Sequence, residues 1–280
     1  MSVPHDLLRA LAIFAAGLAA GTINTVVGSG TLITFPTLLA FGYPPVLANV
    51  SNNVGLVPGV ASGVYGYRSE LGGQRRRLIR LGSASVCGGL VGAILLLTLP
   101  QSAFQAIVPA LIGVAVVMVI VQPRLAKWVA ERQRARAALA DPDGGAAAIG
   151  AGADAASAAS SEEAIGGPVL WVLVFAAGIY GGYFGAAQGV LLIGMLGIAL
   201  NDSLQRINAA KNVLAGLVNG LAAVVFILAT HIDWGVAGLI AAGSIIGGQV
   251  GARIGKRLPP WGLRVVIVCV GTVALIKLLG

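Results

Sequence analysis

Charge is scarce in this chain of 280 residues: Asp, Glu, Lys and Arg make up 10% of it. None of the ten acidic residues lies well inside an apolar run; Asp6, Glu70, Asp202 and Asp233 flank such runs, and the rest fall between 122 and 167. Intramembrane carboxylates are the usual relays of proton and sodium pumps, so their lack argues against a carboxylate-coupled cation pump and against aspartate-pair proteolysis. The two cysteines, Cys87 and Cys269, sit in apolar runs without metal or disulfide spacing and read as small buried hydrophobes. The two histidines, His5 and His231, stand at segment edges, and no nucleophile–base pair or metal cluster is present. Neither an enzyme nor a cofactor is therefore expected. Aromatics amount to 6%, and Trp128, Trp171, Trp234 and Trp261 fall at segment ends, as interfacial anchors do.

What is abundant is apolar sequence. Hydrophobic residues make up 57% of the chain, with mean hydropathy +0.91. Runs of about 20 residues recur, the length that crosses ~30 Å of hydrocarbon. The net charge of +8 therefore reports orientation in a bilayer rather than a nucleic-acid partner. The expected partners are the lipid bilayer and a small anionic substrate, with a homo-oligomer possible and no nucleic acid. Leu7 to Ala20 resembles a leader core, but it has a counterpart later in the chain and reads as structure.

Residues 16–67 recur in degenerate form at 176–227. Gly21 and Gly28 match Gly178 and Gly185, and Asn52 falls on Asn212 if the second copy carries three extra residues. Single spanning helices are expected at about 45–67, 77–99, 103–121, 205–230, 234–255 and 262–279. Two longer stretches, 7–41 and 168–200, are interrupted at Gly28-Ser29-Gly30 and Gly185-Ala186-Ala187 and read as broken-helix hairpins, leaving six to ten crossings. The domain reading is a first repeat at 1–121, a cytoplasmic, disordered linker at 122–167 rich in Ala, Gly and Ser, and a second repeat at 168–280.

Basic residues cluster at Arg68 to Arg80, at Arg124 to Arg136 and at Arg253 to Arg264. Placing all three clusters in the cytoplasm requires 168–200 to cross an even number of times. Each half then makes an odd number of crossings, so the copies are inverted and both termini lie outside. The fold class is all-α: a polytopic transmembrane bundle of two inverted-topology repeats, each a broken-helix hairpin plus three transmembrane helices. Such repeats hold substrate at the midplane, between their broken helices.

The interior polar residues are uncharged amides and hydroxyls plus one cation. At Gly28, Ser29, Gly30 and Thr31 a helix can restart with free N–H groups, Ser29 serving as cap. Gly185, Gln188 and Gly189 offer the same in the second copy. Asn24, Asn52, Asn53, Asn208 and Asn212 supply cavity-lining amides, and Lys211 is the cation. Lys211 either snorkels to the cytoplasmic interface or faces inward and attracts an anion. An interior charge costs ~2.5–3.5 kcal/mol, which calls for a partner that the interior sequence does not supply as a carboxylate.

At these residues the chain resembles the sulfite exporter TauE/SafE family of membrane permeases. The resemblance is carried by Gly21-Thr22-Ile23-Asn24-Thr25-Val26-Val27-Gly28-Ser29-Gly30, by Pro36, by Gly42 to Ala48, by Gly178 to Gly185, by Asn208-Ala209-Ala210-Lys211 and by Asp233-Trp234. It implies a bacterial inner-membrane transporter of a small anion such as sulfite or an organosulfonate. The chain departs from the family's glycine-rich runs at Ser29 and at Ala186-Ala187-Gln188. The competing readings are a transporter of a neutral or cationic solute and a membrane assembly subunit without transport activity.

Overall fold

The structure is a computed structural model describing residues 5–140, 167–200, 202–254 and positions 268, 269 and 272. The described residues form nine α-helices and no strand. They are α1 (His5–Val26), α2 (Thr31–Ala40), α3 (Pro45–Gly66), α4 (Arg75–Thr98), α5 (Gln101–Ala140), α6 (Pro168–Tyr183), α7 (Gln188–Ala199), α8 (Leu204–Ala229) and α9 (Trp234–Ile254). A 3-10 turn, Arg68–Leu71, leads into α4. The expected helix at 262–279, the basic residues Lys256, Arg257 and Arg264, and the acidic part of the linker lie outside the described residues.

Both long stretches are broken where the glycines stand. Gly28 has φ +89° and Gly185 has φ +74°, in the left-handed region that side-chain-bearing residues avoid. The two breaks share one hydrogen-bond pattern. The Ile23 carbonyl accepts from the amides of Val27 (2.7 Å) and Gly28 (3.0 Å), and the Tyr180 carbonyl accepts from those of Phe184 (3.0 Å) and Gly185 (3.0 Å). A left-handed glycine thus ends α1 and α6 in the same way. The short helices α2 and α7, of 10 and 12 residues, start after the break and cannot span a bilayer alone.

Five described helices are long and apolar enough to cross a membrane: α1, α4, α8, α9 and α5 through Arg124. The expected helix at 45–67 forms as α3, yet it is not among those five. The shortfall comes from Asn49, Ser51 and Asn52, which are polar but buried within the bundle rather than facing lipid. A helix whose polar side faces protein need not meet the hydropathy of a lipid-facing one. Helix α5 continues to Ala140, well into the range read as linker.

The halves interlock rather than stand side by side. α1 packs chiefly on α9, α4 on α6, and α3 on α9, while α4 and α3 also pack on α8. Glycines allow the approach: a Cβ on Gly88 or Gly92 of α4 would collide with the backbone of α6, and one on Gly243 or Gly247 of α9 with that of α1. Small residues at such crossings let dispersion act over whole helix faces where lipid gives no hydrophobic drive. The outward faces carry Leu90, Ile94, Val117, Val224 and Leu228, all exposed. Cys87 and Cys269 are also exposed and unpaired, contrary to the expectation of burial. On a bilayer helix the apolar outward face satisfies the hydrocarbon, so hydrophobicity does not imply a place in the core.

Candidate functional site

The two breaks meet. The Gly189 amide donates to the Gly28 carbonyl at 3.1 Å, and a Cβ on either glycine would strike the other's backbone. One of the helix-start donors expected for substrate is therefore committed to the opposite break. Ser29 is not a helix cap either. The residue before α2 is Gly30, no side chain caps that helix, and the buried Ser29 hydroxyl has no partner. Ser29 sits at the apex of the break, where its backbone carbonyl, not its hydroxyl, takes the Leu32 amide (3.2 Å).

The end of α1 is the most polar point of the interior. The last carbonyls of a helix have no intrahelical donor and must be satisfied from outside. Lys211 Nζ donates to the carbonyl oxygens of Asn24 (2.9 Å) and Thr25 (3.2 Å). Asn208 Nδ2 donates to Thr25 O at 3.2 Å, and Asn212 Nδ2 to the same oxygen at 3.4 Å. Gln122 Nε2 lies 3.5 Å from the Val27 carbonyl. Lys211 is 1% exposed and faces the bundle, which sets aside the snorkelling account. Its partner is neither a carboxylate nor the interface but the negative end of the α1 dipole. An ammonium has three donors, and two are engaged here among the described residues.

The other predicted residues are placed by separate contacts. Asn52, on α3, is 1% exposed, with Nδ2 3.5 Å from Thr31 Oγ1 at the start of α2. The amide oxygens of Asn52, Asn53 and Asn208 are buried without partners, as is Gln188 Nε2. Gln188 lies against Gly181, where a Cβ would overlap its amide group. Asn24 contributes its carbonyl rather than its side chain to Lys211, and its Cβ packs beside Gly30. Asn49, not among the site residues expected from the sequence, donates through Nδ2 to the Tyr183 carbonyl at the end of α6 (3.1 Å). The signal for it was present in Asn49-Val50-Ser51-Asn52-Asn53, read against Asn208-Ala209-Ala210-Lys211-Asn212.

That comparison also revises the register of the repeat. Pro45 opens α3 and Leu204 opens α8, so Asn49, Asn52 and Asn53 align with Asn208, Lys211 and Asn212. The second copy carries two extra residues between Gly185 and α8, not three, and Asn52 corresponds to Lys211 rather than to Asn212. Each half's amide reaches across: Asn208 to the end of α1, and Asn49 to the end of α6.

At one end of the bundle a polar cluster ties the halves. Arg77, in the first turn of α4, meets Asp202 at 2.5 Å, and Arg206 Nε meets the same carboxylate at 2.6 Å. Arg206 also donates to the Gly72 carbonyl (3.0 Å), and Gln74 donates to that of Arg206 (3.2 Å). Burial alone would raise the Asp202 carboxyl, but hydrogen bonds and charge from Arg77 and Arg206 hold it below the usual carboxylate range. At the far end of α8 the Asp233 amide donates to Ser51 Oγ (3.0 Å), while Arg9 stacks over the Tyr43 ring at 4.6 Å.

Similarity to known proteins agrees with this architecture. The family model described as "Sulfite exporter TauE/SafE" matches residues 13–278. A "probable membrane transporter protein" of Haemophilus influenzae is 24% identical over 262 residues, covering 91% of this chain and 87% of that protein. The "probable membrane transporter protein YfcA" of Escherichia coli K12 is 24% identical over 272 residues, covering 95% and 88%. No solved structure matches. With a polytopic helical bundle, paired helix breaks and a family match over nearly its whole length, the chain belongs to the sulfite exporter TauE/SafE family of membrane transporters.

Proposed function

We propose that this transporter moves a small anion, sulfite or an organosulfonate, across a bacterial inner membrane by alternating access of two inverted repeats. The observation that carries the reading is Lys211, a fully buried cation with no carboxylate partner among the described residues and one donor not engaged there. Carbonyl dipoles hold its ammonium in place without cancelling its whole charge, so an anion placed at the breaks completes the electrostatics. Asn212 donates to the same Thr25 carbonyl, and Asn52 and Gln188 present further unpartnered amide atoms in the interior. Closure at one end by the Asp202 cluster and at the other by the Asp233 and Arg9 contacts suits an occluded intermediate. Rocking about the touching breaks would open one end at a time.

The test is flux in liposomes containing the purified protein, with sulfite, sulfonates and sulfate compared. Replacing Lys211 by Met keeps the length of the stem and removes the charge. Saturable anion flux is expected, reduced about tenfold or more in the variant, since a hydrogen bond to a charged group contributes roughly 1.5–3 kcal/mol. Equal flux from both proteins would remove Lys211 from the mechanism. A neutral solute is the second reading, favoured by the unpartnered amide oxygens of Asn52, Asn53 and Asn208, which accept donors and repel anions. Flux of neutral solutes unaffected by excess sulfite would select it.

A further inference from the structure

The ends of α1 and α6 are built alike but served differently. Each closes on a left-handed glycine, with one carbonyl taking two amides, Ile23 in the first case and Tyr180 in the second. By this register Asn24 and Thr25 correspond to Gly181 and Gly182. The first pair of carbonyls is gripped by the Lys211 ammonium. The carbonyls of Gly181 and Gly182 receive no donor among the described residues. The only described side-chain donor at this helix end is Asn49, on Tyr183. The position corresponding to Lys211 is occupied by Asn52, a side chain too short and too neutral to repeat the contact.

Oxygens converge there. A Cβ built on Gly185 would lie 3.0 Å from the Gly181 carbonyl oxygen and 4.0 Å from Asn219 Oδ1, so both atoms face the space that the missing side chain leaves. A helix C-terminus carries about half a negative charge, and in membrane carriers such ends coordinate small cations. An all-oxygen, uncharged donor set of this kind matches a hard monovalent cation rather than a transition metal.

We propose that the Gly181 and Gly182 carbonyls and the Asn219 amide oxygen hold a monovalent metal cation, sodium or potassium, where Lys211 serves the end of α1. The breaks then carry two cations in corresponding positions, one tethered and one exchangeable. For the transport reading above, on which this consequence rests, the exchangeable ion is a co-transported one and the pair is matched to a doubly charged anion. The cation seat itself is tested without any substrate.

The experiment follows the thermal unfolding of the purified full chain in detergent at constant ionic strength, with choline chloride replaced stepwise by sodium, potassium or lithium chloride. A saturable rise in the midpoint with sodium or potassium is expected. Asn219→Leu should raise the half-saturating concentration about tenfold, the effect of one lost oxygen ligand. Asn52→Lys, which puts a second ammonium at the register position of Lys211, should remove the dependence altogether. A wild-type midpoint identical in choline and in all three metal salts would overturn the proposal, as would an Asn219→Leu protein with an unchanged cation response. If Asn52→Lys does not fold, the Asn219→Leu comparison decides. A cation-dependent midpoint without anion flux would overturn the anion reading and leave the seat standing.

Discussion

Gly28 shows how a single residue can be fixed by two constraints at once. Its φ of +89° disfavours any side chain, and its Cα lies against Gly189. Gly42 shares the conformation, with φ +81°, but a Cβ there would meet nothing within 4 Å. Gly42→Ala should therefore cost only the backbone term, about 1 kcal/mol. Gly28→Ala should cost that plus separation of the two breaks, several kcal/mol in all, on the scale of overpacking. Comparing the two variants by thermal unfolding measures the break-to-break contact; equal losses would show that Gly189 simply moves aside. Lys211 illustrates the other side of residue-scale reading. Its inward orientation follows from Asn208, one turn before it, and Asn212, next to it in the chain, which reach the same Thr25 carbonyl.

At the scale of elements, α8 connects the Asp202 cluster, Lys211 and the Asp233 loop. Its 26 residues extend about 39 Å at 1.5 Å each, from the Asp202 cluster past Lys211 to the Asp233 loop. The Asp202 cluster joins its start to the start of α4. Because the folded carboxyl is depressed, its stabilisation is complete above the unfolded carboxylate pKa of about 3.9 and is lost only as pH falls through the lower folded value. Stability should thus be insensitive to this group between about pH 5 and 8. Asp202→Asn should lower stability at neutral pH by roughly 1–3 kcal/mol, leaving two arginines without their anion. It should also flatten the loss seen in acid. Unfolding curves recorded across pH for both proteins check the two effects together, and parallel curves would mean that the cluster carries no net stabilisation.

For the whole molecule, the proposed inverted arrangement of the two repeats makes a prediction about sidedness. With Cys87 and Cys269 replaced by serine, a cysteine at Ser69 should react with an impermeant thiol reagent only from the cytoplasm. A cysteine at Gly235 should react only from outside. Labelling of both from one side would sink the inverted topology. Both native cysteines are exposed, so they must be removed before the measurement.

Much of this architecture was legible in the residues. The scarcity of charge and the long apolar runs require helices in a bilayer, because backbone groups there can be satisfied only internally. Glycines flanked by apolar sequence marked both breaks, since only glycine takes the left-handed turn without strain. What the residues could not set was the partner of each polar group. Lys211 in isolation is compatible with lipid interface, carboxylate or substrate, and only the packing of α8 on the end of α1 chose backbone carbonyls. The register of the repeat, the engagement of Gly189 by Gly28 and the outward cysteines were likewise decided by tertiary structure. Sequence periodicity states which residues are apolar; where lipid and protein are equally apolar, it does not state which of the two they face.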